Sequence, residues 1–185
     1  MKHILIISNI PAPYRNGQFA CLRSRFPEWR VSVLYTGKIE ADRVWKTDEP
    51  EENTYFLQSK ILSVKGGEVG GTATRFVHLP KGLFKTLNAL KPDVVIAGEY
   101  NFSALQALFW AKAHGIPFVN MTDGTLRSES YIGTVQKLTR RMIVSGADSF
   151  LASGSRAKEK LLHWGAEEER IAIAYLTVDT TPFQK

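Results

Sequence analysis

Four short polar clusters hold most of the side chains in this sequence that could do chemistry: Arg15-Asn16-Gly17, Glu99-Tyr100-Asn101, Thr122-Asp123-Gly124 with Arg127 and Glu129, and Ser153-Gly154-Ser155. Hydroxyl, amide and carboxylate groups dominate them. Such a set suits a sugar or another polyol better than an apolar ligand. Asp123 could orient or deprotonate a hydroxyl. With Gly124 it is equally a favoured turn pair. Arg15 and the free amides near Gly17 would face an anionic ligand, or Arg15 closes a surface ion pair. Glu99 and Tyr100 either meet a ligand or merely open a helix, where an acid suits the macrodipole. Arg127 and Glu129 are expected to pair on the surface. Ser153 is expected to cap the helix that follows, with Gly154 allowing a close backbone approach.

The elements that position these clusters are short apolar runs alternating with helical stripes. Ile4–Ile7, Asp93–Gly98, Phe118–Met121 and Asp148–Ala152 read as buried strands of a parallel sheet, and Val31–Tyr35 and Ile171–Ala174 as further strands. Tyr55–Leu57 and Ile61-Leu62 read as shorter strand segments. Between the runs lie stripes with helical spacing: Phe19, Leu22 and Phe26; Leu83, Phe84, Leu87 and Leu90; Phe102, Leu105, Leu108 and Phe109; Ile132, Val135, Leu138 and Met142; Ala157, Leu161 and Trp164. Asn101 or Ser103 can start the third of these, and Gly115 stops it. The prolines in Ile10-Pro11-Ala12-Pro13 predict a stiff loop through Gly17, with the helix starting only after it. Strand–helix alternation predicts an α/β fold: a Rossmann-like, open, mostly parallel sheet with helices on both faces. Ligands of such sheets bind at the carboxyl ends of the strands, near the topological switch point. All four polar clusters fall at those ends.

The chain has 185 residues, 44% hydrophobic and 23% charged, which fits one soluble globular domain. No apolar stretch is long enough to span a bilayer. Met1-Lys2-His3 runs straight into the first strand, so no signal peptide is expected and the reading is cytoplasmic. Cys21 is the single cysteine, which excludes an internal disulfide and a cysteine-built metal site. The four histidines, His3, His78, His114 and His163, are scattered, so no metal is expected. A net charge of +6 permits acidic partners. The basic groups of Lys137, Arg140 and Arg141, then Arg156, Lys158 and Lys160, lack interleaved aromatics, so nucleic acid is not expected. Residues 38–53 form a polar excursion. Gly66–Thr72 is glycine-rich without the Gly-Lys-Ser/Thr ending of a phosphate loop, and reads as a mobile loop or hairpin tip.

Two stretches carry a family resemblance. Ser153–Leu162 with Leu161 and Gly165, then Arg170-Ile171 and Val178-Asp179 with Phe183, resembles the close of the N-terminal domain in the family 4 (group 1) glycosyltransferases. Tyr175-Leu176-Thr177 stands where that family has Pro-Asn-Gly. At the other end, Ile10-Pro11-Ala12-Pro13-Tyr14-Arg15 resembles the Pro-Tyr-Arg variant of the family's first loop. The resemblance implies half of a GT-B architecture, residues 1–185 being the acceptor-side domain and 176–185 the start of an interdomain hinge. It implies a retaining hexosyltransferase-like enzyme that transfers sugar from a nucleotide-sugar to a hydroxyl acceptor, without metal or other cofactor. The acceptor would be a glycan, a lipid-linked sugar or a cell-surface polysaccharide precursor. The nucleotide-sugar domain, with its Glu-x7-Glu motif, is not in this sequence, so the chain alone is expected to be inactive.

On the same footing, Asp123 would face the acceptor hydroxyl. Arg15, Asn16 and Gly17 would line the cleft near the diphosphate or the acceptor, with Ser153 and Gly154 beside the hinge. Glu99, Tyr100, Asn101, Thr122, Gly124 and Arg127 complete the expected substrate-binding set. The basic helix could bring the domain to anionic membrane, giving a peripheral location at its inner face. Two other readings stand beside this one. The chain could be a non-catalytic Rossmann-like module that binds a nucleotide, a sugar or a partner protein. It could also be half of an unrelated doubly wound enzyme such as a dehydrogenase, against which the missing G-x-G-x-x-G counts.

Overall fold

A computed structural model describes residues 1–41, 52–65, 74–130 and 132–177. The first strand, β1 (Lys2–Ser8), leads into α1 (Pro13–Arg25), and β2 (Trp29–Tyr35) and β3 (Thr54–Phe56) follow. Next come β4 (Ser59–Lys65), β5 (Thr74–Pro80) and α2 (Leu83–Leu90). The second part runs β6 (Val94–Gly98), α3 (Phe102–His114), β7 (Phe118–Thr122), α4 (Thr134–Gly146), β8 (Ser149–Ala152), α5 (Ser155–His163) and β9 (Ile171–Ile173). Seven strands make one parallel sheet in the order β3-β2-β1-β6-β7-β8-β9. The α/β, Rossmann-like expectation therefore holds. The chain starts mid-sheet at β1, fills one side, then crosses to β6 and fills the other. That reversal is the topological switch point.

Helices cover both faces. Phe19 of α1 packs on Ile4, Ile6, Val31 and Val33. The buried residues of α2 to α5 join Leu5, Ile7, Leu34, Val95, Ala97, Phe118 and Phe150 on the opposite face. Alternation along β1 explains the split, since successive side chains point to opposite faces.

Several sequence expectations are corrected. The helix does not wait for Gly17; α1 starts at Pro13, and the amides of Arg15 and Asn16 already donate to Ala12 O at 2.9 and 3.0 Å. Proline lacks only an amide that the first turn would leave unpaired, and its fixed φ suits that position. Gly17 therefore lies in the second turn, where helix bonds occupy the amides. On α3, Phe102 and Phe109 are 46% and 51% exposed, and the buried face is Ala104, Ala107, Leu108, Trp110 and Ala111. Small residues let the helix axis sit close to the sheet. On α4, Val135 and Leu138 are 78% and 57% exposed, while Ile143 and Val144 reach the core. Strand β5, absent from the sequence expectations, pairs antiparallel with β4; the Gly66–Thr72 run, expected as a mobile loop or hairpin tip, lies outside the described residues. Val178, Asp179 and Phe183, expected as the start of a hinge, also lie outside them.

Candidate functional site

The switch point opens a crevice of about 410 Å³ whose walls include Asn9, Ile10, Arg15, Glu40, Glu99 and Asp123. Arg15, on the first turn of α1, reaches across it. Its Nη2 lies 3.5 Å from Asp123 Oδ2, and its Nη1 donates to Met121 Sδ at 3.5 Å. The expected surface ion pair is thus a bridge between the first turn of α1 and the loop after β7.

Glu99 follows β6 directly and takes a left-handed backbone, φ 60°. A non-glycine residue adopts that geometry at a cost of order 1–3 kcal/mol, so something must hold it there. Asn120, fully buried on β7, donates to Glu99 O at 2.9 Å and to Ala97 O at 3.3 Å. The Glu99 carboxyl is held as well. Thr122 Oγ1 donates to its two oxygens at 3.2 and 3.3 Å, and the Asp123 amide donates to Oε1 at 3.0 Å. Burial, then the hydrogen-bonded Asp123 carboxyl, pushes the Glu99 pKa up to about 7, against the pull of Lys160. A buried carboxyl whose pKa is pushed up to about 7 can take and give a proton at a bound hydroxyl or carbon acid. A second hollow of about 420 Å³ lies beyond the pair, walled by Glu99, Asp123, Gly124, Thr125, Ser128 and Arg140.

Other expected residues take structural places. Asn101 caps α3, its Oδ1 accepting from the Ala104 amide at 2.8 Å, and its Nδ2 donates to Asn9 Oδ1 at 3.0 Å. Asn16 Oδ1 accepts from the Tyr35 hydroxyl at 2.9 Å. Gly17 is exposed with open space around it. Tyr100 is buried, its ring facing Lys160 Nζ at 4.7 Å and the Arg140 guanidinium at 5.1 Å. Burial, with Glu99 and Glu129 nearby, pushes its hydroxyl pKa up. Ser153 does not cap α5; Gly154 holds the cap position, and the Ser153 amide donates to Thr122 O at 3.0 Å. Gly154 has an extended backbone and open space beside it, so no close approach demands a glycine.

Arg127 is exposed, and Glu129 turns away from it. Glu129 Oε1 accepts from Arg140 Nε at 2.7 Å, and Oε2 accepts from Trp164 Nε1 at 2.8 Å. Arg140 is thereby taken off the polar side of α4.

Sequence reasoning missed three residues. Lys160, read as part of a basic cluster, is 0% exposed. Its position was legible: Ala157, Lys160, Leu161 and Trp164 repeat at i, i+3, i+4 and i+7. Glu40 lines the crevice and is held by a buried His78, Nε2 to Oε1 2.9 Å, while His78 Nδ1 lies 3.0 Å from Thr36 Oγ1. Gly37 makes this possible, since a Cβ there would fall 2.9 Å from His78 Cε1. Glu40 and His78 meet through the fold rather than through any motif. Among the described residues no three His, Cys, Asp or Glu side chains gather as metal ligands, and no helix is long and apolar enough to cross a membrane.

No protein-family model matches the chain, and no curated protein matches it in sequence. Solved structures match in fold. HepE of Anabaena in complex with UDP-glucose superposes with a TM-score of 0.62 at 11% identity, covering 97% of this chain and 45% of that one. The UDP-N-acetylglucosamine 2-epimerase of Rickettsia bellii gives 0.54 at 19% identity, covering 95% and 45%. That of Methanocaldococcus jannaschii gives 0.53 at 15%, covering 94% and 45%. This chain has the Rossmann-like fold of half a GT-B architecture and spans less than half the length of these structures. The likeness is one of fold and does not single out family 4 glycosyltransferases.

Proposed function

We propose that this chain is the acceptor-side half of a GT-B enzyme that processes nucleotide-sugars, with the crevice between β1 and β6 as its half of the active site. The observation that carries the reading is the neighbouring Glu99 and Asp123 carboxyls at the switch point, with Arg15 paired to Asp123. Paired carboxyls suit sugar hydroxyls, and a guanidinium beside them suits a diphosphate. The names of the fold neighbours, which bind or act on UDP-sugars, agree with that ligand class. Ile96, Val119, Met121 and Leu151 alternate onto α1's face of the sheet and stay half-buried, in keeping with cover from a further part of the protein.

Within this class we favour transfer of the sugar, with retention, to a hydroxyl acceptor that Asp123 orients. The acceptor would be a glycan or a lipid-linked precursor. The reading calls on no metal and no cofactor, because Arg15 and groups of the other half meet the diphosphate charge. Epimerisation is the second reading, favoured by the near-neutral Glu99, which suits removal and return of a carbon-bound proton. Proton NMR of the anomeric region separates the two. The whole protein, given UDP-glucose or UDP-N-acetylglucosamine with a hydroxyl acceptor, should release UDP and form a glycoside. A new sugar-nucleotide epimer without UDP release would establish the second reading instead.

The exposed Val135 and Leu138 beside Lys137 and Arg141 extend the proposal to a peripheral contact with anionic membrane at its inner face. Charge reversal at Lys137 and Arg141 should abolish binding to phosphatidylglycerol vesicles. Unchanged binding would remove that part of the reading.

A further inference from the structure

A lysine is almost never fully buried unless it is paired, because its charge loses water. Lys160 of α5 is buried completely. Its Nζ donates to Thr122 Oγ1 at 2.6 Å, lies 3.7 Å from Glu129 Oε1 and faces the ring of Tyr100. A hydroxyl has one proton to give. Because Thr122 accepts from the ammonium, its own proton is free for Glu99, and both Glu99 oxygens lie within reach. The backbone makes room for this arrangement. A Cβ on Gly124 would fall 2.7 Å from Lys160 Nζ, so the loop carrying Asp123 passes the ammonium only where no side chain stands.

We propose that Lys160 is a positioning residue of the crevice: through the Thr122 hydroxyl, its buried ammonium fixes the orientation and the proton occupancy of Glu99. The titratable and charged groups around the ammonium are Glu99 and Asp123 from the crevice loops, Glu129 from the turn before α4, Arg140 from α4 and Tyr100 from the α3 entry. Burial lowers the Lys160 pKa, Glu99 and Glu129 raise it, and Arg140 lowers it again. Arg140 Nε sits 2.7 Å from Glu129 Oε1, the oxygen nearest Lys160. The cation therefore acts chiefly on Glu99, where it opposes both burial and the neighbouring Asp123. Without it, the Glu99 carboxyl would keep its proton through neutral pH and would lose its use as a base.

The inference takes the crevice as the site of the chemistry proposed above, but its test reads the carboxyl itself, so the two can fail separately. Carbon-detected NMR titration of the Glu99 side-chain carboxyl, in the full chain without ligand, gives the midpoint directly. Lys160→Met should raise that midpoint by roughly one pH unit, the ordinary effect of removing a close opposite charge. Thr122→Val should raise it as well, and Thr122→Ser, which keeps the hydroxyl, should leave it in place. A midpoint in Lys160→Met equal to or below that of the unsubstituted chain would overturn the proposal. Should Lys160→Met fail to fold, the Thr122 pair decides: equal midpoints in the valine and serine variants overturn it.

Discussion

At the scale of the residue, the proposed site turns on Glu99, whose proton affinity is set by its surroundings. Glu99 carries the clearest consequence. Its pKa rises from the ordinary 4.5 to about 7 on folding, chiefly through burial. A group whose pKa is raised in the folded state stabilises fully below its unfolded value, and that contribution is lost as pH climbs through the folded value. The unsubstituted chain should therefore lose roughly 3 kcal/mol relative to Glu99→Gln between about pH 4.5 and 7. Urea unfolding of the two proteins across that range checks it, and a constant difference would contradict it. His3, whose pKa burial and Arg30 lower, acts in the opposite sense and cancels in the comparison. Asp123→Asn should slow turnover of the whole protein roughly 10²-fold or more, measured as kcat at saturating nucleotide-sugar. Arg15, Glu99, Thr122 and Asp123 were legible because they sit where strands end, and an open α/β sheet brings those ends together. Lys160 was misread because charge was weighed above spacing. Glu40 and His78 lie 38 residues apart and meet only through the fold.

At the scale of the element, short contacts and open spaces make opposite predictions for glycine. Gly17 lies in α1 with nothing within 4 Å of its would-be Cβ. Gly17→Ala should raise stability by about 0.5–1 kcal/mol through helix propensity. The result would also separate a helical Gly17 from the loop glycine that the sequence suggested. Gly146 closes α4 against Leu108, whose Cδ2 would stand 2.9 Å from an added Cβ. Gly146→Ala should lower stability by about 1–3 kcal/mol, because the added methyl would crowd the buried Leu108. Thermal unfolding of both variants checks the pair of signs. The parallel strands were legible as continuous apolar runs. The faces of α3 and α4 were not, since apolar residues surround much of α3 and only spatial neighbours choose the buried side. The Pro13 start was missed because the ring was taken as a barrier when, at the first helical position, it is an aid.

At the scale of the molecule, the sheet order places one reversal, and the reversal places the crevice. The proposed second half would cover the crevice beside the Glu99 and Asp123 carboxyls and the half-buried sheet face beyond α1. In the polar excursion at 38–53, Glu40 is buried against His78 through the fold rather than by local periodicity, while 42–51 and the glycine-rich run lie outside the described residues. The central proposal is that this crevice works only when a second half closes over it. The most direct test is turnover of UDP-sugars, followed by UDP release and by NMR of the sugar. It compares the 185-residue chain alone with the same chain joined to a nucleotide-sugar-binding half. The account predicts no product from the chain alone and steady turnover from the joined protein, lost again in Asp123→Asn. Turnover by the isolated chain, or full activity of the joined protein with Asp123→Asn, would contradict it.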